Sequence, residues 1–196
     1  MLEAARLALA SHRPQALPLG DRRESAVMLL LYPREGATYV LFQLRTHRVA
    51  HHRGEISLPG GARDPHDPSL EATALRETHE EVGIAPEHVE VLGRLDDTMT
   101  RSSPYRITPF VGALRDGAPR DAGVRAAREL SEVLYVPLDH LLSVESRAWK
   151  VVEDGGLPSA TPAYLHGAHL IWGATARIVT QFVSLLGGAP HGEPSR

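Results

Sequence analysis

Gly60-Gly61-Ala62-Arg63-Asp64-Pro65-His66-Asp67-Pro68-Ser69-Leu70-Glu71-Ala72-Thr73-Ala74-Leu75-Arg76-Glu77-Thr78-His79-Glu80-Glu81-Val82-Gly83-Ile84 reads as a glycine-rich turn, a capped start and one helix. Asp67 or Ser69 can cap the helix N-terminus, with Pro68 tolerated in the first turn. Gly83 can end the helix in a left-handed conformation. At about 100° per residue, Leu75, Thr78 and Val82 share a side that faces a core. Glu77, Glu80 and Glu81 gather on another side. Arg76 precedes Glu80 by four residues, the spacing of a helical ion pair.

Three crowded carboxylates repel one another unless something positive joins them. Mg²⁺ or Mn²⁺ is the natural partner, because hard divalent cations prefer oxygen ligands and often bridge phosphates. A solvated acidic helix face is the plain alternative, and Glu80-Glu81 alone would favour it. The paired glycines upstream and the order Arg-Glu-x-x-Glu-Glu-x-Gly shift the balance toward a cation site.

Arg76-Glu77-Thr78-His79-Glu80-Glu81-Val82-Gly83-Ile84 resembles the second half of the Nudix box, G-x5-E-x7-R-E-U-x-E-E-x-G-U with U apolar. The first half departs from that pattern. Counting from Gly61, Asp67 takes the glutamate slot, and the gap to Arg76 is one residue longer. Thr78 stands at an apolar position. Upstream, Leu44-Arg45-Thr46-His47-Arg48-Val49-Ala50-His51-His52-Arg53-Gly54-Glu55-Ile56-Ser57-Leu58-Pro59-Gly60-Gly61 resembles the extra signature of the coenzyme A pyrophosphatase branch. The Gly-x3-Leu-Pro-Gly-Gly end is kept, with Leu58 where that branch has Phe. Ala50 stands where relatives often carry Arg. Asp64-x-x-Asp67 and Thr73-Ala74-Leu75-Arg76-Glu77 also look typical of the branch.

The bulk numbers fit a soluble chain. Its 196 residues suffice for one domain, 1–196, with a single core. Net charge is -3, which gives no footprint for nucleic acid. Cysteine is absent, so disulfides, thiolate catalysis and zinc-thiolate sites are excluded. The apolar run Ala26–Tyr32 is too short to span a bilayer, and the start makes a poor signal peptide. A cytoplasmic protein, with no membrane and no nucleic-acid partner, is the expectation.

Residues 2–11 have helical composition, ended by Pro14. Ala26–Tyr32 suits a strand buried on both faces, Pro33–Gly36 a turn, and Thr38–Arg45 the next strand. The cations between Thr46 and Arg53 precede the glycine turn. As a group they suit phosphate, with a solvated loop as the alternative for any one of them. After the helix, strands are expected at 89–95 and 107–114, with a loop at 96–104 between them. Asp96 and Asp97 suit a turn better than a metal. Arg115–Arg125 has loop composition. Glu129–Leu138 runs from loop to strand and Asp139 starts a short helix. Trp149–Val152 and Ala163–Leu170 form a hairpin around Gly155-Gly156. Ile171–Ala176 opens a last helix through Leu186, with Trp172 read as a core anchor in preference to a substrate contact. The tail is 187–196.

The resemblance covers roughly residues 25–186. It implies the Nudix fold, an α/β/α sandwich with a mixed β-sheet between helices, and hydrolysis of a nucleoside diphosphate derivative. It implies Glu77 and Glu81 as principal ligands of Mg²⁺ or Mn²⁺. Glu80 adds a ligand or takes the water's proton, and the Gly61 carbonyl is a further ligand. Arg76 belongs to the same catalytic set. Such enzymes often draw an extra carboxylate from a loop, for which Glu129 is the first candidate and Glu132 the second, with a plain surface glutamate as the alternative for either. Arg45, Arg48, His52, Arg53, Gly60 and Gly61 are the candidates for holding substrate. Coenzyme A is the leading small-molecule substrate. ADP-ribose or a dinucleotide is the enzymatic alternative, and a nucleotide-binding regulatory module is the non-enzymatic one. The intact Arg76, Glu77, Glu80 and Glu81 argue against the last. No Gly-x-Ser-x-Gly and no Walker A loop is present.

Overall fold

The computed structural model describes residues 1–45, 55–101, 103–118, 123, 130–154, 156–188 and 191–192. Helix α1 is Leu2–Ser11, as its composition suggested. Strand β1 runs Arg23–Arg34 and strand β2 runs Ala37–Arg45. Leu29, Leu30 and Leu31 of β1 are each 0% exposed, which explains an apolar run without alternation: both faces are covered. Pro33 and Arg34 belong to β1 and not to the predicted turn. The reversal uses only Glu35 and Gly36, with φ of 53° and 79°. That pair of positive φ angles matches the twist of the flanking strands, so pairing continues to Arg34 opposite Ala37.

Beyond the hairpin β1 and β2 part, and residues 56–62 fill the fork. Strand β3 (Ile56–Ser57) pairs with β2, setting Ser57 opposite Gln43. Strand β4 (Gly60–Ala62) pairs with β1, setting Gly60 opposite Val27. A Cβ on Gly60, where φ is 154°, would lie 2.4 Å from the Ala26 carbonyl oxygen, so the crossing requires glycine.

Helix α2 (Leu70–Val82) follows, then β5 (Val89–Arg94), β6 (Thr98–Met99), β7 (Tyr105–Leu114) and β8 (Leu130–Pro137). β6 is a short strand inside the segment read as a loop. The main sheet runs β3-β2-β1-β7-β5, with β4 also on β1, β6 on β7 and β8 on β2. β1 and β7 are parallel and the remaining pairs antiparallel, so the sheet is mixed. Asp97, expected in a turn, is buried. It accepts from Thr108 Oγ1 (2.8 Å), Arg94 Nη2 (2.8 Å) and the Leu17 amide (3.1 Å), tying the segment after α1 to the sheet.

Alternation along β1 sorts the core. Ala26, Met28, Leu30 and Tyr32 pack with Ala74 and Val82 of α2. Leu29 and Leu31 face the other way, toward Ala5 and Leu9 of α1 and toward helix α4 (Gly173–Leu185) through Ala176, Val179 and Phe182. Helices therefore cover both faces of the mixed sheet.

The C-terminal part holds more strand than expected. After α3 (Leu138–Leu142) come β9 (Arg147–Asp154), β10 (Leu157–His166) and β11 (His169–Ile171), in a separate sheet ordered β11-β10-β9. Pro158 and Pro162 both fall within β10. β11 pairs only with Tyr164–His166, which leaves both prolines on an edge it does not cover, where proline is tolerated. Trp172 is not a core anchor. It is the half-buried residue preceding α4, and Lys150 Nζ lies 3.5 Å from its ring centroid. No helix among the described residues is long and apolar enough to cross a membrane.

Candidate active site

Helix α2 is capped by Ser69, whose hydroxyl accepts from the Ala72 amide at 3.1 Å. Asp67 is not the cap, and Pro68 precedes the helix instead of entering its first turn. Gly83 ends it at φ 79°, with its amide bonded to the His79 carbonyl. Ala74, Thr78 and Val82 form the buried face, while Leu75 is only partly buried. Thr78 tolerates burial because its hydroxyl donates to the Ala74 carbonyl at 2.7 Å.

Asp67 has a different task. Its carboxylate receives a two-pronged contact from Arg76, Nε to Oδ1 at 3.0 Å and Nη2 to Oδ2 at 3.0 Å. Thr73 Oγ1 (2.8 Å) and the Asp64 amide (3.0 Å) also donate to it. Asp67 thus reaches Arg76 from the slot of the pattern's first glutamate, despite the longer spacing. The Arg76 hydrogen bonds hold its carboxyl well below the usual carboxylate range, and Asp67 in turn raises the arginine. The other prong of Arg76, Nη1, donates to Glu77 Oε1 at 2.9 Å and to Glu80 Oε2 at 3.2 Å, the latter being the ion pair expected from the helical spacing. Arg76 therefore sets the positions of two carboxylates.

Glu81 is the most deeply placed of the three glutamates, 7% exposed. Its Oε2 accepts from Gln43 Nε2 at 2.8 Å and from the Gly60 amide at 2.9 Å. Burial pushes its carboxyl up to about 7, against the pull of those two hydrogen bonds, and the Glu77 charge pushes the same way. Burial also raises Glu77, opposed by Arg76. A Cβ on Gly61 would lie 2.5 Å from Glu77 Oε1, so the glycine lets the backbone approach that carboxylate. The Glu80 side chain is 57% exposed. Gln43, fully buried in the middle of β2, escaped the sequence reading. Its only signal was one amide in the otherwise apolar run from Val40 to Leu44.

The predicted residues fall into three groups. Arg76, Glu77, Glu80, Glu81 and Gly61 come together at the fork and the exposed side of α2. Gly60 joins them, with its amide committed to Glu81. Arg45 ends β2, donates its amide to the Glu55 carbonyl at 3.0 Å, and its charge counters the rise at Glu81. Glu132 is exposed on β8, opposite Leu44. Arg48, His52, Arg53 and Glu129 lie outside the described residues.

Asp67, Glu77 and Glu80 surround Arg76, and Glu81 lies close enough to Glu77 to feel its charge, an all-oxygen donor set with excess negative charge. That chemistry fits a hard divalent cation. Among the described residues no three acidic or histidine side chains already converge as ligands, and Arg76 is paired with both Glu77 and Glu80. A cation entering here competes with Nη1 for them.

The NUDIX domain family matches residues 22–155. The chain is 36% identical over 180 residues to a mitochondrial coenzyme A diphosphatase of Homo sapiens, covering 90% of this chain and 72% of that one. It is 36% identical over 161 residues to an uncharacterized Nudix hydrolase, NudL, of Photorhabdus laumondii, covering 82% and 83%. A solved structure, the NUDIX domain of Shewanella oneidensis NrtR complexed with ADP ribose, aligns at TM-score 0.47 and 24% identity over 72% of this chain and 87% of that one.

Proposed function

The chain belongs to the NUDIX family, as a hydrolase of phosphoanhydride bonds, and from that premise we propose that it cleaves the diphosphate of coenzyme A in the cytoplasm. The products are 3′,5′-ADP and 4′-phosphopantetheine. Water adds to one phosphorus, the bridging P–O bond breaks, and a base takes the proton that the water gives up. The observation that carries the reading is the buried Glu81 carboxylate, held by Gln43 and Gly60 beside the Gly61–Glu77 approach. The similarity to a coenzyme A diphosphatase supports the choice of substrate.

Glu77 and Glu81 would be the principal ligands of Mg²⁺ or Mn²⁺, with Glu80 and the Gly61 carbonyl completing the set. When bound, the cation neutralises phosphate charge and lowers the pKa of water. Gln43 and Gly60 fix one oxygen of Glu81, so the carboxylate is oriented before substrate arrives. Arg76 positions Glu77 and Glu80. Glu80, the exposed member, is placed to pass a proton to solvent. Arg45 brings positive charge to the diphosphate, and Arg48, His52 and Arg53 follow it in sequence.

The test is to incubate the pure protein and Mg²⁺ with coenzyme A, an acyl-coenzyme A, ADP-ribose and NADH, and to identify products by mass. Coenzyme A should be cleaved with the highest kcat/KM, and excess chelator should stop turnover. Faster cleavage of ADP-ribose, or full turnover in chelator, would overturn the substrate or the metal assignment respectively.

A further inference from the structure

The C-terminal sheet ends in a strand edge that the proposed chemistry does not use. β9 is the last strand in the order β11-β10-β9, so one side of it has no partner strand among the described residues. Two observations fix the phase of its hydrogen bonds. The Leu165 amide donates to the Ser146 carbonyl directly opposite it, one step beyond the Arg147–Tyr164 pair. Bonded and non-bonded positions alternate along an antiparallel pair. Ala148, Lys150 and Val152 are therefore bonded to β10, and Trp149, Val151 and Glu153 are not. The prolines agree: Pro162 stands opposite Trp149 and Pro158 opposite Glu153, where β9 needs no donor. The backbone N–H and C=O groups of Trp149, Val151 and Glu153 thus point away from the sheet, and among the described residues no other backbone group meets them.

The two edges of this sheet differ. Where β10 runs beyond β11, Pro158 and Pro162 remove donors that an added strand would need. β9 has no proline, and Val151 at its middle is 69% exposed. Such an edge is a template for another strand. Lys150-Val151-Val152-Glu153-Asp154 is complementary to its own reverse. A two-fold axis perpendicular to the sheet keeps each face on its own side, so only positions an even number apart can oppose one another. With the axis at Val152, position 150, a lysine, falls opposite position 154, an aspartate; Val152 falls opposite itself and Val151 opposite Glu153. With the axis at Lys150, two lysines would face each other.

Lys150 is the only lysine in this chain, and its ammonium sits 3.5 Å from the centroid of the Trp172 ring. The indole face holds the cation without taking up its N–H donors, and among the described residues no carboxylate pairs with it. We propose that β9 pairs antiparallel with β9 of a second copy of this chain, about a two-fold axis at Val152, and so joins two three-stranded sheets into one. Val151 and Glu153, whose backbone groups face outward, exchange hydrogen bonds with Glu153 and Val151 of the second copy. The lysine–aspartate and valine–valine pairs take the non-bonded positions, where side chains come closest. The overlap is short, so the dimer is a weak one that forms as concentration rises.

Sedimentation velocity of the full chain tests this. The wild type should pass from monomer to dimer as concentration rises. Lys150→Glu sets like charges opposite each other across the axis, and so does Asp154→Lys, so each variant alone should stay monomeric. An equal mixture of the two should dimerise again, because every reversed charge then meets an opposite one. Misfolded variants could not rescue each other in this way. Val151→Pro removes an outward-facing donor and leaves the β9–β10 bonds intact, so it should abolish the dimer with little change in Tm. Hydrogen exchange at the Val151 and Glu153 amides of the wild type should slow as the dimer forms. A wild type that stays monomeric throughout, a dimer that persists in either charge variant or in Val151→Pro, or a mixture that remains monomeric would overturn the proposal.

Discussion

Glu81→Gln should make the metal-free protein more stable while removing its activity. Glu81 is 7% exposed, and its carboxyl is pushed from 4.5 to about 7 by burial. A carboxyl with a raised folded pKa binds its proton more tightly folded than unfolded. The stability that comes from the bound proton is complete below pH 4.5 and is lost as pH rises through 7. At pH 8 the charged form costs about 3 kcal/mol, from a rise of about 2.5 pKa units at 1.36 kcal/mol each. At pH 5 most of that cost is absent, and less than about 1 kcal/mol remains. Glutamine has the same shape, and its carbonyl oxygen can accept the bonds from Gln43 and Gly60. In chelator, urea unfolding followed by fluorescence should therefore show the variant roughly 2–3 kcal/mol more stable at pH 8 and nearly level with wild type at pH 5. With Mg²⁺ restored, kcat should be lower by on the order of a hundredfold or more, since a cation ligand has gone. An equal stability change at both pH values, or none at pH 8, would refute the argument that burial of this charge opposes folding. Undiminished turnover in a folded variant would remove Glu81 from the site.

Asp67→Ala takes away both acceptors of the Arg76 fork and should cost about 2–4 kcal/mol, with kcat falling as Arg76 turns to Glu77 and Glu80. Denaturation and kinetics together test it, and a loss under about 1 kcal/mol would mean the fork matters little. Because the folded pKa of Asp67 is depressed, its contribution in the wild type is present above pH 3.8 and fades as pH falls below it. Gly61→Ala drives a methyl group to 2.5 Å from Glu77 Oε1 and should lower kcat about tenfold or more, with little change in urea midpoint; wild-type kinetics would show that this approach is not needed. Ser69→Ala should cost about 1 kcal/mol in unfolding experiments through loss of the helix cap, while kcat/KM stays near wild type. A neutral outcome would shift the capping role elsewhere.

The helix, its glycine stop, the grouping of Glu77, Glu80 and Glu81, and the Arg76–Glu80 pair followed from the sequence alone. These features are local: a period of 3.6 residues and the needs of a helix end fix them without reference to distant parts of the chain. The double burial of β1 was readable for a similar reason, since an apolar strand without alternation has no face to give to water. Other features depended on strand register. Gln43 meets Glu81 across 38 residues only because β1 and β2 part and residues 56–62 enter between them. Asp67 grips Arg76 because the turn before α2 folds back on its first two turns. Trp172 looked like a core residue by composition, yet β11 ends just before it and leaves its ring beside Lys150. Side-chain identity set what each residue could do, and the pairing of distant strands decided which of those capacities met.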